Sequence, residues 1–308
     1  MPHLPRNFDE LKTRIRGPVV GLLTPFAADG AVDFNSLPGY VEHQLAAGLD
    51  VLAFSPMVSS LCVLTADETR RLAVEVKRIA GDRACVLAST RSDSPTDTFD
   101  LLRGLEDGGL DGAFVFPGYL GPKPQVYIRL LEACGDVTSM PLLGFQVSVE
   151  QDRRFGGLPW MDLDHWQRLA ERPQIVGLKD DTGNLEVRRG LVARFGGRFA
   201  IVGPGMADRY LQVHDSPGQA ELTSIGYLDA GDERRARAIM DRALDCIRQV
   251  ADATNCGWGI EPIQMIAHVR GWLASPTMRP PLPTPSPAQI DAVRCLVDAY
   301  DAAQGEPR

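Results

Sequence analysis

Basic residues are in deficit in this chain: 32 lysines and arginines stand against 40 aspartates and glutamates, a formal net charge of -8. A nucleic-acid footprint needs a clustered basic face that releases counterions from phosphates, so no nucleic-acid partner is expected. Cysteine is sparse as well. The six residues, Cys62, Cys85, Cys134, Cys246, Cys256 and Cys295, form no CxxC pair, and no His/Cys pair has zinc-ligand spacing. They read as free thiols, with no bound metal expected. No apolar run is long enough to span a bilayer. Residues 1–16 mix Pro2, Pro5, Asp9 and Glu10 with basic side chains and contain no apolar segment of the signal-peptide kind. The expectation is a cytoplasmic protein with no membrane partner.

What is present is an ordinary globular composition, 44% hydrophobic and 23% charged over 308 residues, enough to bury one large core. Short apolar runs bounded by turn residues recur along the chain, each followed by an amphipathic stretch, which is the pattern of repeated βα units. Eight such runs begin near Val19, Val51, Ala84, Gly112, Pro141, Ile175, Phe199 and Gln219. Their near-continuous hydrophobicity fits parallel strands covered by helices on one face and packed inward on the other. The intervening helices carry their own signals. Leu37, Val41 and Leu45 share a face and Gly48 stops the turn; Thr65 and Glu68 make a Thr-x-x-Glu capping box; Ser94 caps a helix that starts on Pro95. The pattern predicts a (β/α)8 barrel over residues 1–228. Helical patterns at 232–250, 260–273 and 288–300 form a C-terminal extension, 229–308, packed on the barrel as one structural unit. The proline-rich stretch 275–287 is expected to be extended and to lay the last helix against the barrel.

In such a barrel the chemistry sits at the C-terminal ends of the strands. The candidates are therefore Thr24 and the segments 55–60, 89–91, 117–119, 145–148, 179–181, 203–205 and 223–227. Lys179 stands out because it ends the apolar run IVGLK, where its ammonium would face barrel interior rather than water. Desolvation disfavours the charged form, and a neutral amine attacks a carbonyl to give an imine. Position alone equally allows a lysine paired with Asp180 or Asp181.

The segment 177–185, GLKDDTGNL, resembles the G-[IVF]-K-[ED]-x-[TS]-G segment of the dihydrodipicolinate synthase and N-acetylneuraminate lyase superfamily. Four further stretches agree in order and spacing: GLLTPFAADGAVD from Gly21, LTADE from Leu64, FPGYLGPKP from Phe116 and RPPLP from Arg279. The resemblance covers nearly the whole chain and implies a class I aldolase type of enzyme with Lys179 as its Schiff-base residue and no cofactor. It also implies a homo-oligomer, tetramer or dimer, with Tyr119 reaching toward a neighbouring subunit's site. The departures fall on the chemistry. Where the family has Gly-Thr-Thr-Gly-Glu after the second strand, this chain has Pro56, Met57, Val58, Ser59 and Ser60. Where the family places its acid/base tyrosine, followed by asparagine, this chain has Phe145 and Gln146. Phenylalanine has no proton to give.

The expected site comprises Lys179 and Tyr119 as catalytic groups, with Met57, Val58, Ser59, Ser60, Phe145, Gly203 and Ser224 lining the substrate. With Met57, Val58, Leu61, Cys62 and Phe145 the wall is markedly apolar, which favours a substrate less polar than a sugar acid. The expected function is a lyase that takes a 2-oxo acid or other small carbonyl compound as an imine on Lys179, departing from standard pyruvate chemistry. Two alternatives stand beside it. ERPQIVGLKD and MRPPL are similar to the branch that dehydrates the keto-deoxy sugar acid 5-dehydro-4-deoxyglucarate. A non-catalytic homologue that kept the barrel as a ligand-binding module would look alike in sequence.

Overall fold

A computed structural model describes residues 8–15, 19–56, 58–91, 94–117, 123–147, 161–182, 184–203, 233–256 and 260–304. Seven strands lie in one parallel sheet in sequence order: β1 (Val19–Gly21), β2 (Val51–Phe54), β3 (Cys85–Ser89), β4 (Gly112–Phe114), β5 (Leu142–Val147), β6 (Ile175–Asp181) and β7 (Ala200–Val202). Each begins within a residue of an apolar run identified in the sequence. The eighth run, from Gln219, lies outside the described residues. The helices that follow the strands are α2 (Leu37–Ala46), α3 (Ala66–Ala80), α4 (Pro95–Asp107), α5 (Pro124–Val137), α6 (Leu163–Ala170) and α7 (Leu185–Phe195), with α1 (Phe8–Arg14) ahead of β1. Sequential parallel strands with a helix after each make a (β/α)8 barrel wall.

The caps that set the helix starts are those the sequence encodes. Thr65 accepts from the Glu68 N–H while the Glu68 carboxylate accepts from the Thr65 N–H, a complete capping box. Ser94 accepts from the Asp97 N–H ahead of Pro95. Gly48 leaves α2 with a φ of +82°, a conformation that favours glycine.

Two apolar layers divide along the alternation of the strands. One lies between strands and helices and includes Leu52, Val86, Leu102, Leu131, Trp166, Leu178 and Ile201. The other fills the barrel interior with Val19, Val51, Ala53, Cys85, Leu87, Phe114, Leu143, Phe145, Ala200 and Val202, and Leu11 of α1 with the adjacent Ile15 joins it. All six cysteines are free. Gly177 marks a close approach: a Cβ there would stand 2.1 Å from the Ala200 carbonyl oxygen, so β6 and β7 meet only around a glycine.

Behind β6 the outward-facing Asp180 makes a buried ion pair with Arg188 of α7, both side chains 1% exposed. The guanidinium Nε is 2.7 Å from Oδ2, and Nη2 donates to the Asp180 carbonyl at 3.0 Å. The second carboxylate oxygen accepts from the Thr182 N–H.

The C-terminal region contains α8 (Glu233–Thr254), α9 (Ile260–Val269) and α10 (Pro287–Gln304). Among the described residues the last helix packs on its two predecessors, with Ile290, Val293 and Val297 against Val250 and Met265. Helix α9 meets the barrel, where Gln264 donates to the carbonyl of Thr24 just past β1. The proline-rich stretch is non-helical up to Pro287 but is broken by a turn in which the Leu282 N–H donates to the Arg279 carbonyl, and its Arg279 ties it down. The guanidinium donates to the carbonyls of Gly30 and Val63 and forks onto both oxygens of Glu68 at 2.8 and 2.9 Å. One arginine thereby joins three chain segments to the capping box of α3.

Arg279, with smaller help from the Thr65 N–H and hydroxyl, holds the Glu68 carboxyl down from its ordinary 4.5 to about 2. That contribution to stability is fully present above pH 4.5 and is lost as pH falls toward 2. Arg279→Leu is therefore expected to melt at a lower temperature at pH 7, with the gap to the parent narrowing as pH drops from 4.5 toward 2. A gap that stays constant over that window in thermal melts would separate the arginine's packing from its charge. For the buried pair, Arg188→Ala leaves an uncompensated carboxylate and is expected to cost about 3–5 kcal/mol in denaturant unfolding. The double change Asp180→Leu with Arg188→Met should recover most of that loss.

Candidate functional site

Successive side chains of a strand leave on opposite faces, so Lys179 and Asp181 share the inner face of β6 while Asp180 takes the outer one. Lys179 is paired in register with Phe145 of β5 on one side and Val202 of β7 on the other, at the C-terminal end of the barrel. Its side chain is 11% exposed. Nζ lies 5.1 Å from the centre of the Phe145 ring and donates to Oδ2 of Asp181 at 2.9 Å. Of the two aspartates that the sequence offered as partners, the structure thus selects Asp181. The other Asp181 oxygen, Oδ1, is buried and has no hydrogen-bond partner among the described residues.

Phe145 forms the wall beside the amine. It is 5% exposed and is met edge-on by Phe114 and Phe116, with ring centres 6.5 and 5.3 Å away. Its position is set from behind by Tyr127 of α5, whose hydroxyl donates to the Val115 carbonyl at 2.6 Å and accepts the Phe145 N–H at 2.7 Å. Complete burial pushes this phenol well above its ordinary range. Tyr127 is thereby fixed in a structural bond between the ends of β4 and β5. Tyr40 is used in the same way: it accepts the Leu23 N–H at 3.0 Å, and burial raises its phenol to about 12. Neither tyrosine offers its hydroxyl to Lys179. Gln146 faces outward, where its Oε1 accepts from the Trp166 indole at 2.6 Å.

The loop after β2 is held against β1. The Thr24 hydroxyl donates to the Ser59 carbonyl at 2.5 Å, and the Ser59 hydroxyl accepts from the Ser55 N–H at 2.9 Å, so this buried serine serves the turn itself. Ser60 sits in the left-handed region, φ 52°, at the start of a 3-10 turn over Leu61–Val63. Val58 packs over Gly21 at the end of β1, where a Cβ would stand 3.0 Å from its Cγ1. Gly203 follows Val202 and is buried. Met57, Tyr119 and Ser224 lie outside the described residues.

Lys179 and Phe145, both expected at the site, are register partners; the sequence leaves the lysine's partner open between Asp180 and Asp181 and gives Tyr127 and Arg188 no place. The period of two would have assigned Asp181 to the lysine's face. No local signal marks Tyr127 or Arg188, which act across elements. Among the described residues, no helix is long and apolar enough to cross a membrane.

Comparison with known proteins gives a consistent result. The model of the dihydrodipicolinate synthetase family matches residues 14–213. The 4-hydroxy-tetrahydrodipicolinate synthase of Kineococcus radiotolerans is 27% identical over 282 residues, 88% of this chain and 89% of that protein. The synthase of the same name from Streptococcus pneumoniae is 23% identical over 300 residues, 93% of each. Among solved structures, the 4-hydroxy-tetrahydrodipicolinate synthase of Methylacidiphilum fumariolicum superposes with a TM-score of 0.79 at 19% identity, covering 94% of this chain and 97% of that one. The chloride-inhibited dihydrodipicolinate synthase of Acinetobacter baumannii complexed with pyruvate superposes at 0.77 and 22% identity, covering 93% and 99%. The chain belongs to the dihydrodipicolinate synthetase family and is a lyase of the class I aldolase type.

Proposed function

We propose that this enzyme binds a 2-oxo acid, or another small carbonyl compound, as an imine on Lys179, and that its substrate is less polar than a sugar acid and its reaction departs from standard pyruvate chemistry. The observation that carries this reading is the lysine itself, a largely buried amine at the inner C-terminal end of β6 with an aromatic ring on one side and a carboxylate on the other. Phe145 and Val202 flank the amine, and Asp181 is placed to accept a proton from the ammonium so that the amine is free to attack. The protonated imine then draws electrons from the adjacent carbon.

The solved relatives from Acinetobacter baumannii and the YagE protein of Escherichia coli are complexes with pyruvate, so a 2-oxo acid is the natural first ligand. The wall here is more apolar than pyruvate's carboxylate would need. Val58 covers the β1 end, Phe116 and Phe145 line the β4–β5 side, and the Ser59 hydroxyl already holds the Ser55 N–H. A polyhydroxylated sugar acid would leave its hydroxyls unpaired against such a wall, at a cost that disfavours the dehydratase reading. In this reading Met57, Val58, Ser60, Gly203 and Ser224 border the substrate and Tyr119 reaches it from the loop after β4. Gln264 and Arg279, which join the C-terminal region to the β1 and α3 sides, support treating residues 1–228 and 229–308 as one unit.

Incubation with pyruvate or 2-oxobutyrate followed by borohydride is expected to add the reduced ligand's mass to the peptide that contains Lys179. Lys179→Ala should abolish label and turnover together. Lys179→Arg should fail equally, because a guanidinium stays protonated and is no nucleophile. A turnover-competent Lys179→Arg enzyme would assign the lysine an electrostatic role and end the imine reading.

A further inference from the structure

We infer that Asp181 is the acid/base of this enzyme, doing at the imine the proton transfers for which the family uses the tyrosine that Phe145 replaces; this rests on the imine reading above. The geometry is specific. Asp181 stands two residues beyond Lys179 on the same face of β6, and its Oδ2 is 2.9 Å from Nζ, inside the range over which a general base takes a proton. Its Oδ1 is buried with no partner among the described residues, so half of the carboxylate is available to a ligand at the amine. The family pattern leaves this position open, whereas the carboxylate one residue earlier, Asp180, is committed to Arg188 on the outer face. Among the described residues, the register neighbours of Lys179 are Phe145 and Val202, whose side chains carry no proton donor or acceptor.

The proton count closes on this single carboxylate. Asp181 takes one proton from the Lys179 ammonium, and the freed amine forms a bond to the carbonyl carbon as the C–O π pair moves to oxygen. Asp181 returns its proton to that oxygen. It then takes a second proton from the nitrogen and passes it to the departing hydroxyl, which leaves as water while the C=N bond forms. The ammonium's three hydrogens end as one on the iminium and two in water, and Asp181 is again a carboxylate. It can then remove a proton from the carbon next to the imine carbon, two bonds from Nζ, to give the enamine, and deliver it back in the reverse step.

The neutral alternative is that Asp181 only balances the lysine's charge. The two are separated by following solvent-deuterium exchange at C3 of pyruvate and 2-oxobutyrate alongside borohydride trapping on the same samples. In Asp181→Asn, which keeps the shape and an acceptor oxygen, trapping at Lys179 is expected to develop more slowly but still to reach the parent's yield on long incubation, while exchange falls by about 100-fold or more. Asp181→Glu should recover part of the exchange. In Asp181→Ala, added formate should restore exchange by about tenfold in a saturable manner; this variant carries the test if the asparagine form does not fold. Exchange in folded Asp181→Asn within about twofold of the parent would overturn the assignment, as would loss of trapping along with exchange or a folded Asp181→Ala that formate does not help. Absence of label on the parent enzyme with both oxo acids would instead defeat the imine reading, and this inference with it.

Discussion

The alternation of side chains along β6 is the constraint on which the rest of this site depends. Three ionisable residues in a row, Lys179, Asp180 and Asp181, close a strand that is otherwise apolar, and a strand has only two faces to put them on. Lys179 and Asp181 fall inward and pair with each other; Asp180 falls outward and must find a cation among the helices. Arg188, one turn into α7, supplies it. Were Asp180 unpaired, the strand would carry a buried charge against the helix layer, and any relaxation of that charge toward solvent would turn Lys179 out of register with Phe145 and Val202. The buried pair is therefore less a source of net stability than a device that fixes which face each charge occupies.

A second set of contacts controls how close the neighbouring strands come to that face. Gly177 lets the Ala200 carbonyl approach where any Cβ would collide, bringing β7 against the strand two residues before the lysine. On the other side, the Tyr127 hydroxyl bridges the ends of β4 and β5 and holds the Phe145 backbone by its N–H. A buried phenol without partners would cost stability, but here donor and acceptor capacity are both used. The aromatic wall beside Lys179 is thus positioned by a hydroxyl on a helix outside the barrel.

Much of this was legible in the sequence where the determinant is local. Apolar runs marked the seven described strands, and Thr65, Glu68, Ser94 and Gly48 marked helix ends, because caps and turns depend on residues within four positions of one another. What was not legible acts at long range. The Arg279 fork onto Glu68 joins residues 211 positions apart. The last helix buries its apolar face in the groove between α8 and α9. An amphipathic stripe states that a helix must bury one side, not against what. The lysine's partner lay between these cases: periodicity contained the answer, but only once the strand's end was known to reach Asp181.

One departure from the family pattern, Phe145, is related in space to Asp181, at a position that the pattern leaves open. Phe145 removes a hydroxyl from β5, and its register partner across the ladder is Lys179 itself. Asp181 places a carboxylate on β6 on the same inner face, within hydrogen-bond reach of the same nitrogen. A buried ammonium beside a phenylalanine ring and no anion would be costly, since a ring face offers a cation far less than a carboxylate in a desolvated setting. The loss on one strand and the carboxylate on the next are therefore physically coupled. Once the phenol is gone, the amine needs a new partner for its proton, and the nearest inward position available on its own strand is two residues on. Tyrosine and carboxylate differ in where they keep the proton near neutral pH, the phenol holding it and the carboxylate releasing it. In this site the carboxylate of Asp181 adjoins the amine directly, on the same face as the apolar wall of Phe114, Phe116 and Phe145.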